Sequence, residues 1–268
     1  MCGIAGILSQ NKEQRNCISD VTKSLSHRGP DNEGFYRDDN IALGQRRLSI
    51  IDLSNGNQPI SNESGDLQLI CNGEIYNSPD LRESLLKNGH HFKTSTDVEV
   101  ILHLYEDFGK DCIKYLRGMF AFAVWDSKNQ ALFLGRDHIG QKPLFFYKRD
   151  GLFVFASEIK GIMATNFVEP EIDIDGLWHY ISLRFIPDQY SLFKNINKLP
   201  AASWLFLKDN EIKIEKYWEL DFSKKLPDNE GEIIEGLDSV LLDTVKMHLL
   251  SDVPVGTFLS GGIDSSIV

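Results

Sequence analysis

The sequence is poor in cysteine and has no long apolar run. Its four cysteines stand far apart, without the paired spacing that zinc sites and redox motifs use. Separated thiols of this kind do not indicate a disulfide framework either. We therefore assign no metal ligand in this chain, and we expect the thiols other than Cys2 to be mostly buried.

Basic clusters and targeting segments are also missing. No stretch approaches the roughly 20 apolar residues that cross a bilayer, and the N-terminus lacks the basic segment and apolar core of a signal peptide. Acidic residues number 39 against 28 basic ones, for a formal net charge of -11. This balance argues against nucleic acid or an anionic membrane as partner. We expect a cytoplasmic protein that acts on small molecules.

What is present describes a globular protein of more than one unit. Hydrophobic residues make up 42% and charged residues 25% of the chain, which is enough to build a full core. At 268 residues the chain is near the size at which a single core stops growing. Because the composition changes near Tyr217, we predict a first domain at 1–216, a linker at 217–229 and the incomplete beginning of a second domain at 230–268.

Apolar spacing predicts a mixed α and β first domain. Helical spacing occurs at 13–25 and 98–108, and short apolar runs typical of strands lie at 41–43, 48–51 and 67–71. Two hairpins are predicted, 119–125 with 131–134 and 143–147 with 152–156, the second reversing at Asp150-Gly151. Further along, an amphipathic helix at 233–249, an extended run at 253–259 and a glycine loop indicate the start of a doubly wound α/β unit.

Cys2 stands directly after the initiator methionine. Removal of Met1 would place a free α-amine, with an ordinary pKa of about 7.7 to 8.0, beside a thiol with a pKa of about 8.5. The amine can then accept the thiol proton, so that one residue supplies both nucleophile and base. Taken by itself, Cys2 is more readily interpreted as a small buried apolar residue than as a nucleophile.

Several motifs carry a family resemblance. In order, they resemble the glutaminase domain of glutamine-hydrolysing asparagine synthetases: Met1-Cys2-Gly3-Ile4-Ala5-Gly6, Arg28-Gly29-Pro30-Asp31, Arg47-Leu48-Ser49-Ile50-Ile51-Asp52, Asn72-Gly73-Glu74-Ile75-Tyr76-Asn77 and Thr96-Asp97-Val98-Glu99. The likeness continues at 135–137, 140–146 and 155–160. It implies an α+β fold of four αββα layers, the N-terminal-nucleophile hydrolase fold, with Cys2 catalytic.

The resemblance also implies roles for polar residues that attack on an amide would require. Asn72 and Gly73 would donate hydrogen bonds to the oxyanion, which needs fixed donors about 2.7 to 3.1 Å away. By themselves, these two residues would read as a plain turn. The loop 28–31 would line the site, although an ordinary surface turn is an alternative.

Free glutamine presents a carboxylate and an ammonium group. A guanidinium can pair with the first and a carboxylate with the second, and the resemblance implies Arg47 and Asp97 in these roles. Without it, Arg47 would read as a surface charge and Asp97 as a helix cap. Further substrate contacts are implied at Leu48, Ile50 and Glu74.

A second predicted site lies at residues 260–266, Ser-Gly-Gly-Ile-Asp-Ser-Ser. This run resembles the pyrophosphate loop of ATP-pyrophosphatases, and backbone N–H groups, hydroxyls and a helix N-terminus suit a phosphate. A capped helix after a turn is the alternative. ATP is therefore an expected ligand, with Mg bridging its phosphates. The residues implied in ATP binding are Ser260, Gly261, Gly262, Asp264 and Ser265.

The resemblance implies glutamine-dependent asparagine synthesis, in which ammonia released at Cys2 reaches an adenylated aspartate. Three alternatives stay open: an amidotransferase that feeds sugar-phosphate or phosphoribosyl acceptors, a relative that amidates another carboxylate, and a non-catalytic protein that keeps Met1. The loop at 260–266 argues against the first. A homodimer is among the assemblies that the sequence allows.

Some residues depart from the usual family wording without removing a catalytic group. Gln45-Arg46 precede Arg47, and Thr96 precedes Asp97. Residues 200–203 read Pro-Ala-Ala-Ser where a Pro-Pro-Gly turn is common. These departures leave the acceptor and the shape of an ammonia tunnel open.

Overall fold

The computed structural model describes residues 1–188, 190–223, 225–226 and 228–268; Lys224 and Pro227, both in the predicted linker, lie outside the described residues. The strands are β1 (Gly3–Leu8), β2 (Asn32–Arg37), β3 (Ile41–Arg47), β4 (Ile60–Ser61), β5 (Leu67–Ile75), β6 (Gly118–Asp126), β7 (Ala131–Arg136), β8 (Phe145–Arg149), β9 (Leu152–Ala156), β10 (Ile196–Lys198), β11 (Ser203–Lys208) and β12 (Glu211–Lys216). The helices are α1 (Lys12–Asn16), α2 (Ile18–Ser24), α3 (Ser78–Lys87), α4 (Val100–Phe108), α5 (Ile159–Met163), α6 (Ile174–Leu183), α7 (Glu230–His248) and α8 (Ile263–Ile267), with a 3₁₀ helix at Gly109–Tyr115.

The strands form two antiparallel sheets. The first has the order β10-β8-β9-β1-β3-β2 and the second has the order β12-β11-β7-β6-β5-β4. In the first sheet β1 pairs with β3 on one side and with β9 on the other. Because both neighbours hold β1, the position of Cys2 at its start is fixed by the sheet.

Three apolar clusters show how the layers are stacked. One lies between the two sheets and joins Ile4 of β1 to Ile70 of β5 and Phe155 of β9. A second packs α2 and α5 against the outer face of the first sheet, and a third packs α4 and the 3₁₀ helix against the outer face of the second. The predicted four-layer αββα fold is therefore confirmed.

Most of the predicted elements are present. The hairpins are β6 with β7 and β8 with β9, and Asp150 and Gly151 have the positive φ values, 49° and 78°, of a tight reversal. The helix predicted at 98–108 is α4, which ends at Gly109. The long helix predicted at 233–249 is α7, whose first turn is capped by the side chain of Asn229.

Three predictions differ from the structure. The helix predicted at 13–25 is broken at Cys17, whose N–H bonds to Gln14 three residues back and closes α1. The strand predicted at 48–51 is a loop, because β3 ends at Arg47 and the following residues turn into the cavity described below. The strand predicted at 67–71 continues to Ile75 as β5.

The C-terminal segment is helical but has little packing. None of the residues of α7 is buried, so its apolar stripe, including Ile233, Leu237 and Val240, faces outward. The run predicted as extended at 253–259 has no sheet partner within the described parts of the chain. A strand needs a neighbour to complete its hydrogen bonds.

The helices that the structure describes are too short or too polar to cross a membrane.

Candidate active site

A cavity of about 200 Å³ opens between the start of β1, the loop after β3 and the middle of β5. It brings together all eight residues predicted for glutamine hydrolysis: Cys2, Arg47, Leu48, Ile50, Asn72, Gly73, Glu74 and Asp97. The other lining residues are Met1, Ile51, Gly56, Gln58, Thr96, Val98, Met119 and Lys142. Residues far apart in the sequence thus meet in one place.

The Cys2 side chain is held by the loop that follows β3. The Leu48 N–H donates to Sγ at 3.4 Å, and the thiol lies 3.7 Å from the Leu48 carbonyl oxygen. Burial raises the pKa of the Cys2 thiol, and this effect outweighs the Leu48 hydrogen bond and the positive charges of the N-terminus, Arg47 and Lys142. With Met1 attached, the sulfur is therefore kept as a thiol.

Strand alternation explains why Asn72 faces Cys2. On β5, Cys71 packs into the cluster beneath the helices, whereas Ile70 packs between the sheets, so Asn72 points between the sheets as well. Its side chain is 1% exposed, and neither the amide nitrogen nor the amide oxygen has a hydrogen-bond partner among the described residues. Buried amides are normally paired, and an exception calls for a functional explanation.

Gly73 allows two strands to approach closely beside the cavity. A Cβ atom at this position would lie 2.2 Å from the Met119 carbonyl oxygen and 2.6 Å from the Phe120 Cα. Both obstacles are backbone atoms, which cannot turn aside as a side chain can. The residue therefore has to be glycine for β5 and β6 to keep their spacing.

Arg47 ends β3 and is buried, with 4% exposed. Its guanidinium donates to Asn57 Oδ1 at 3.2 Å and to the carbonyl oxygens of Ile51 and Asp52 at 2.8 and 2.6 Å. These bonds use three of the five N–H groups of an arginine. The remaining two can serve a ligand, while the first three hold the loop 48–52 in its turn.

Two carboxyl groups, those of Asp97 and Glu74, also line the cavity. Asp97 accepts a 2.6 Å hydrogen bond from the Ile75 N–H. Burial raises the pKa of Asp97 to about 7, and the nearby charge of Glu74 adds to the increase. Burial also raises the pKa of Glu74, opposed by Lys142 and His248. Because both pKa values are raised, a cationic ligand group that binds beside these carboxyls would favour their ionised forms.

Sequence reasoning missed Lys142 and Gln58 as cavity residues. Lys142 is 7% exposed and lines the cavity, and its charge favours the ionised forms of both Cys2 and Glu74. The sequence signal that could have indicated Lys142 was its position inside the stretch 140–146, which resembles the family. Gln58 accepts a 2.6 Å hydrogen bond from the Cys71 N–H and so holds β5 against the loop.

The predicted loop 28–31 supports the cavity from behind and is not part of its lining. Asp31 Oδ2 accepts a 2.8 Å hydrogen bond from the Ser49 N–H. Gly29 lies against β3, where a Cβ would come within 2.3 Å of the Arg46 carbonyl carbon. The loop is therefore part of the scaffold and not a free surface turn.

The residues predicted for ATP are separate from this cavity. None of Ser260, Gly261, Gly262, Asp264 and Ser265 lines it. The Ser260 and Ser265 hydroxyls lie 3.0 Å apart, and Gly261 has a φ of 80°. Hydroxyls and backbone N–H groups around a positive-φ glycine are a donor set that suits phosphate oxygens.

Two antiparallel sheets between helices, with a cysteine just before a central strand and a cavity beside it, are the architecture of the N-terminal-nucleophile hydrolase fold. The chain belongs to the glutamine amidotransferase domain family, whose model matches residues 1–218, and an asparagine synthase model matches residues 236–268.

Three known proteins illustrate the similarity. All of this chain aligns with asparagine synthetase [glutamine-hydrolyzing] 1 of Bacillus subtilis at 38% identity, covering 43% of that protein. It aligns in full with a putative asparagine synthetase of Methanocaldococcus jannaschii at 41% identity, covering 56%. The solved glutamine phosphoribosylpyrophosphate amidotransferase of Bacillus subtilis has the same fold, with a TM-score of 0.61 at 21% identity over 81% of this chain and 49% of that one. The chain thus spans about half the length of its curated relatives.

Proposed function

We propose that the first domain, residues 1–216, hydrolyses glutamine to glutamate and ammonia with Cys2 as nucleophile. The observation that carries this proposal is the convergence of four groups on one cavity: a thiol, an unpaired buried amide, a guanidinium with free N–H groups and a carboxyl. Each group can interact with one part of free glutamine. The thiol can attack the amide carbon, the Asn72 amide can bind the carbonyl oxygen, the guanidinium can bind the α-carboxylate and the carboxyl can bind the α-ammonium. The ammonia would then serve a synthetase domain that begins near residue 230.

The nucleophile is Cys2 after removal of Met1. The new α-amine accepts the thiol proton, and Sγ attacks the carbon of the side-chain amide. The carbonyl electron pair moves to oxygen and then returns as the C–N bond breaks, while the ammonium proton passes to the leaving nitrogen. Ammonia and a thioester result. Water, deprotonated by the same amine, then cleaves the thioester to glutamate and regenerates the thiol.

Asn72 and Gly73 supply the oxyanion contacts in this mechanism. The Asn72 amide is buried and has no partner among the residues that the structure describes, so its N–H groups are available to the oxygen of the substrate when negative charge develops there. An amide donor of this kind accelerates the reaction by about a hundredfold to a thousandfold. Gly73 would donate its backbone N–H as the second contact.

The remaining residues orient glutamine. The two free N–H groups of Arg47 pair with the α-carboxylate, and Asp97 pairs with the α-ammonium, which also holds Asp97 ionised. Leu48 and Ile50 form one wall, and Glu74 contacts the polar end of the substrate. Recognition of both charged ends selects free glutamine over a glutamine within a protein.

We further propose that the acceptor is aspartate, activated with ATP and Mg. Ser260, Gly261, Gly262 and Ser265 would hold the pyrophosphate part of ATP, with Asp264 beside it, and ATP would supply the adenylyl group for the acceptor carboxylate. The match of residues 236–268 to asparagine synthase supports this half. It also favours a carboxylate acceptor over a phosphoribosyl acceptor.

The test is glutaminase activity of the purified 268-residue chain. We expect release of glutamate from glutamine, a Cys2→Ala variant without activity, and a Cys17→Ala variant that keeps full activity. Cys17 is the matched control because it is also a partly exposed free thiol. Intact-mass measurement should show loss of Met1. Equal rates in the parent and Cys2→Ala proteins would end the proposal.

A further inference from the structure

A second cluster of chemically reactive side chains lies away from the Cys2 cavity, at one end of α4. Two of its members, His103 and Glu106, belong to α4 itself. His90 follows α3, and Glu63 stands in the turn between β4 and β5. His103 is fully buried, whereas the side chains of His90, Glu106 and Glu63 are 14%, 27% and 34% exposed, so the cluster lies at the edge of the molecule.

Ligand-type atoms of Glu63, His90 and His103 lie within 4.8 Å of one another, and Glu106 contacts both imidazoles. His103 Nδ1 lies 3.0 Å from Glu106 Oε2 and 3.7 Å from Glu63 Oε2, and His90 Nδ1 lies 3.5 Å from Glu106 Oε2. In a tetrahedral zinc site with bonds of about 2.0 to 2.2 Å, neighbouring ligand atoms are about 3.3 to 3.6 Å apart. The three distances between imidazole Nδ1 atoms and carboxylate oxygens, 3.0, 3.5 and 3.7 Å, lie on either side of that range.

The outward oxygens of the two carboxylates are held by other groups. The His91 N–H donates to Glu63 Oε1 at 2.7 Å, and Asn62 Nδ2 donates to Glu106 Oε1 at 2.8 Å. Each carboxylate therefore presents its second oxygen inward.

The far nitrogen of each imidazole faces a carboxylate. His90 Nε2 lies within hydrogen-bond distance of Asp107 Oδ1, at 3.1 Å, whereas His103 Nε2 lies 3.8 Å from Glu99 Oε1, a fully buried carboxylate, and makes no hydrogen bond among the described residues. A carboxylate on the far nitrogen is the usual partner of a metal-binding histidine, because it fixes the ring and strengthens the ligand.

We propose that Glu63, His90, His103 and Glu106 bind one divalent transition-metal ion, with zinc favoured by four-coordinate nitrogen and oxygen ligands. Four carboxylates surround the two imidazoles, and the nearby Lys93 amine is bound to Ser61 and Asn62. A dication offsets this negative charge. The ion would tie the β4–β5 turn and the segment after α3 to α4, independently of glutamine hydrolysis. Sequence spacing gave no hint, since the ligands come from three separated segments.

Cobalt titration tests the proposal, because four-coordinate Co²⁺ gives visible absorption bands. The protein would be free of any affinity tag, stripped with a chelator, and carry Cys2→Ala so that the N-terminal thiol cannot bind the ion. We expect one equivalent of Co²⁺ to give these bands, zinc to displace it, and either ion to raise the melting temperature.

Variants then locate the ion. His90→Ala and Glu63→Gln should abolish the bands, and Asp107→Asn should weaken binding about tenfold while one equivalent is retained. His91→Ala is the matched control, since its backbone N–H is unchanged and its side chain is outside the cluster. Absence of bands in the parent protein, or equal binding in the parent and His90→Ala proteins, would overturn the proposal and leave the cluster as a hydrogen-bonded ion-pair network.

Discussion

The Nε atom of Arg28 donates a 2.8 Å hydrogen bond to the carbonyl oxygen of Cys2. The same guanidinium pairs with Glu158 at 2.8 Å, and Glu158 stands at the N-cap of α5. The Arg28 side chain is 8% exposed, so this bond is made away from bulk water. The residue proposed as nucleophile is therefore positioned by an ion pair that links the loop after α2 to the helix after β9.

Glu158→Gln should make the protein less stable at neutral pH. Burial alone would raise the pKa of Glu158, but hydrogen bonds from Arg28, His27 and Lys160 outweigh it and lower the pKa to about 2. A carboxyl with a depressed pKa contributes stability above its unfolded pKa and loses it as pH falls towards the folded pKa. We expect a loss of about 1 to 3 kcal/mol at pH 7, after allowance for partial exposure.

Urea unfolding at several pH values checks this expectation. The difference between parent and variant should shrink as pH falls from about 4.5 to about 2. Glu83→Gln is the control, because Glu83 forms an exposed pair with Lys87 on α3 and should change stability little. A constant difference across the pH range would mean that the Glu158 charge is not what stabilises the fold.

Asp97 should make glutamine use depend on pH near neutrality. Its pKa of about 7 means that the carboxyl is protonated at lower pH and cannot pair with the substrate ammonium. We expect kcat/KM for glutamine to fall as pH drops below about 7. Asp97→Asn should remove this limb and reduce kcat/KM about tenfold to a hundredfold, since a charge-assisted hydrogen bond contributes about 1.5 to 3 kcal/mol.

A second variant tests whether Asp97 is the group that titrates. The charge of Glu74 helps to raise the pKa of Asp97. Glu74→Gln should therefore shift the acidic limb to lower pH. If the limb stays in place in both variants, the titrating group is not Asp97.

Asn72→Ala should separate catalysis from stability. If the amide donates to the oxyanion, kcat should fall about a hundredfold to a thousandfold with little change in KM. Because neither polar atom of the side chain has a partner in the described protein, its removal should change the free energy of unfolding by less than about 1 kcal/mol. A large loss of stability with unchanged kcat would instead make Asn72 a structural residue.

The sequence was most informative where local pattern and position agree. The hairpins at β6–β7 and β8–β9 follow from apolar runs and turn residues, and the cavity residues from motifs read in order. The sequence could not show which segments pair with one another as strands of a sheet. The run at 48–51 has strand composition, but Arg47 bonds to the carbonyl oxygens of Ile51 and Asp52 and turns the chain out of the sheet.

Other features depended on distant neighbours. Asn72-Gly73 has the composition of a turn, yet both residues lie within β5 because β6 pairs with them along its length. Lys142 stands inside the matching stretch 140–146, but the sequence alone does not show that the loop after β7 brings it to the cavity beside Cys2. The cluster around His103 combines three segments whose proximity no spacing rule predicts.

Asp252 connects the C-terminal segment to the cavity wall and carries the last prediction. Its Oδ2 atom accepts a 2.7 Å hydrogen bond from the Asp52 N–H, and its own N–H donates to the Ile50 carbonyl oxygen at 3.0 Å. Asp252→Ala removes the first bond, so the loop 48–52 should become more mobile. We expect a severalfold higher KM for glutamine, nearly unchanged kcat and faster amide hydrogen exchange at 50–52. Asp238→Ala, at an exposed position of α7, should alter none of these, and an unchanged KM in Asp252→Ala would show that the loop keeps its shape without the C-terminal segment.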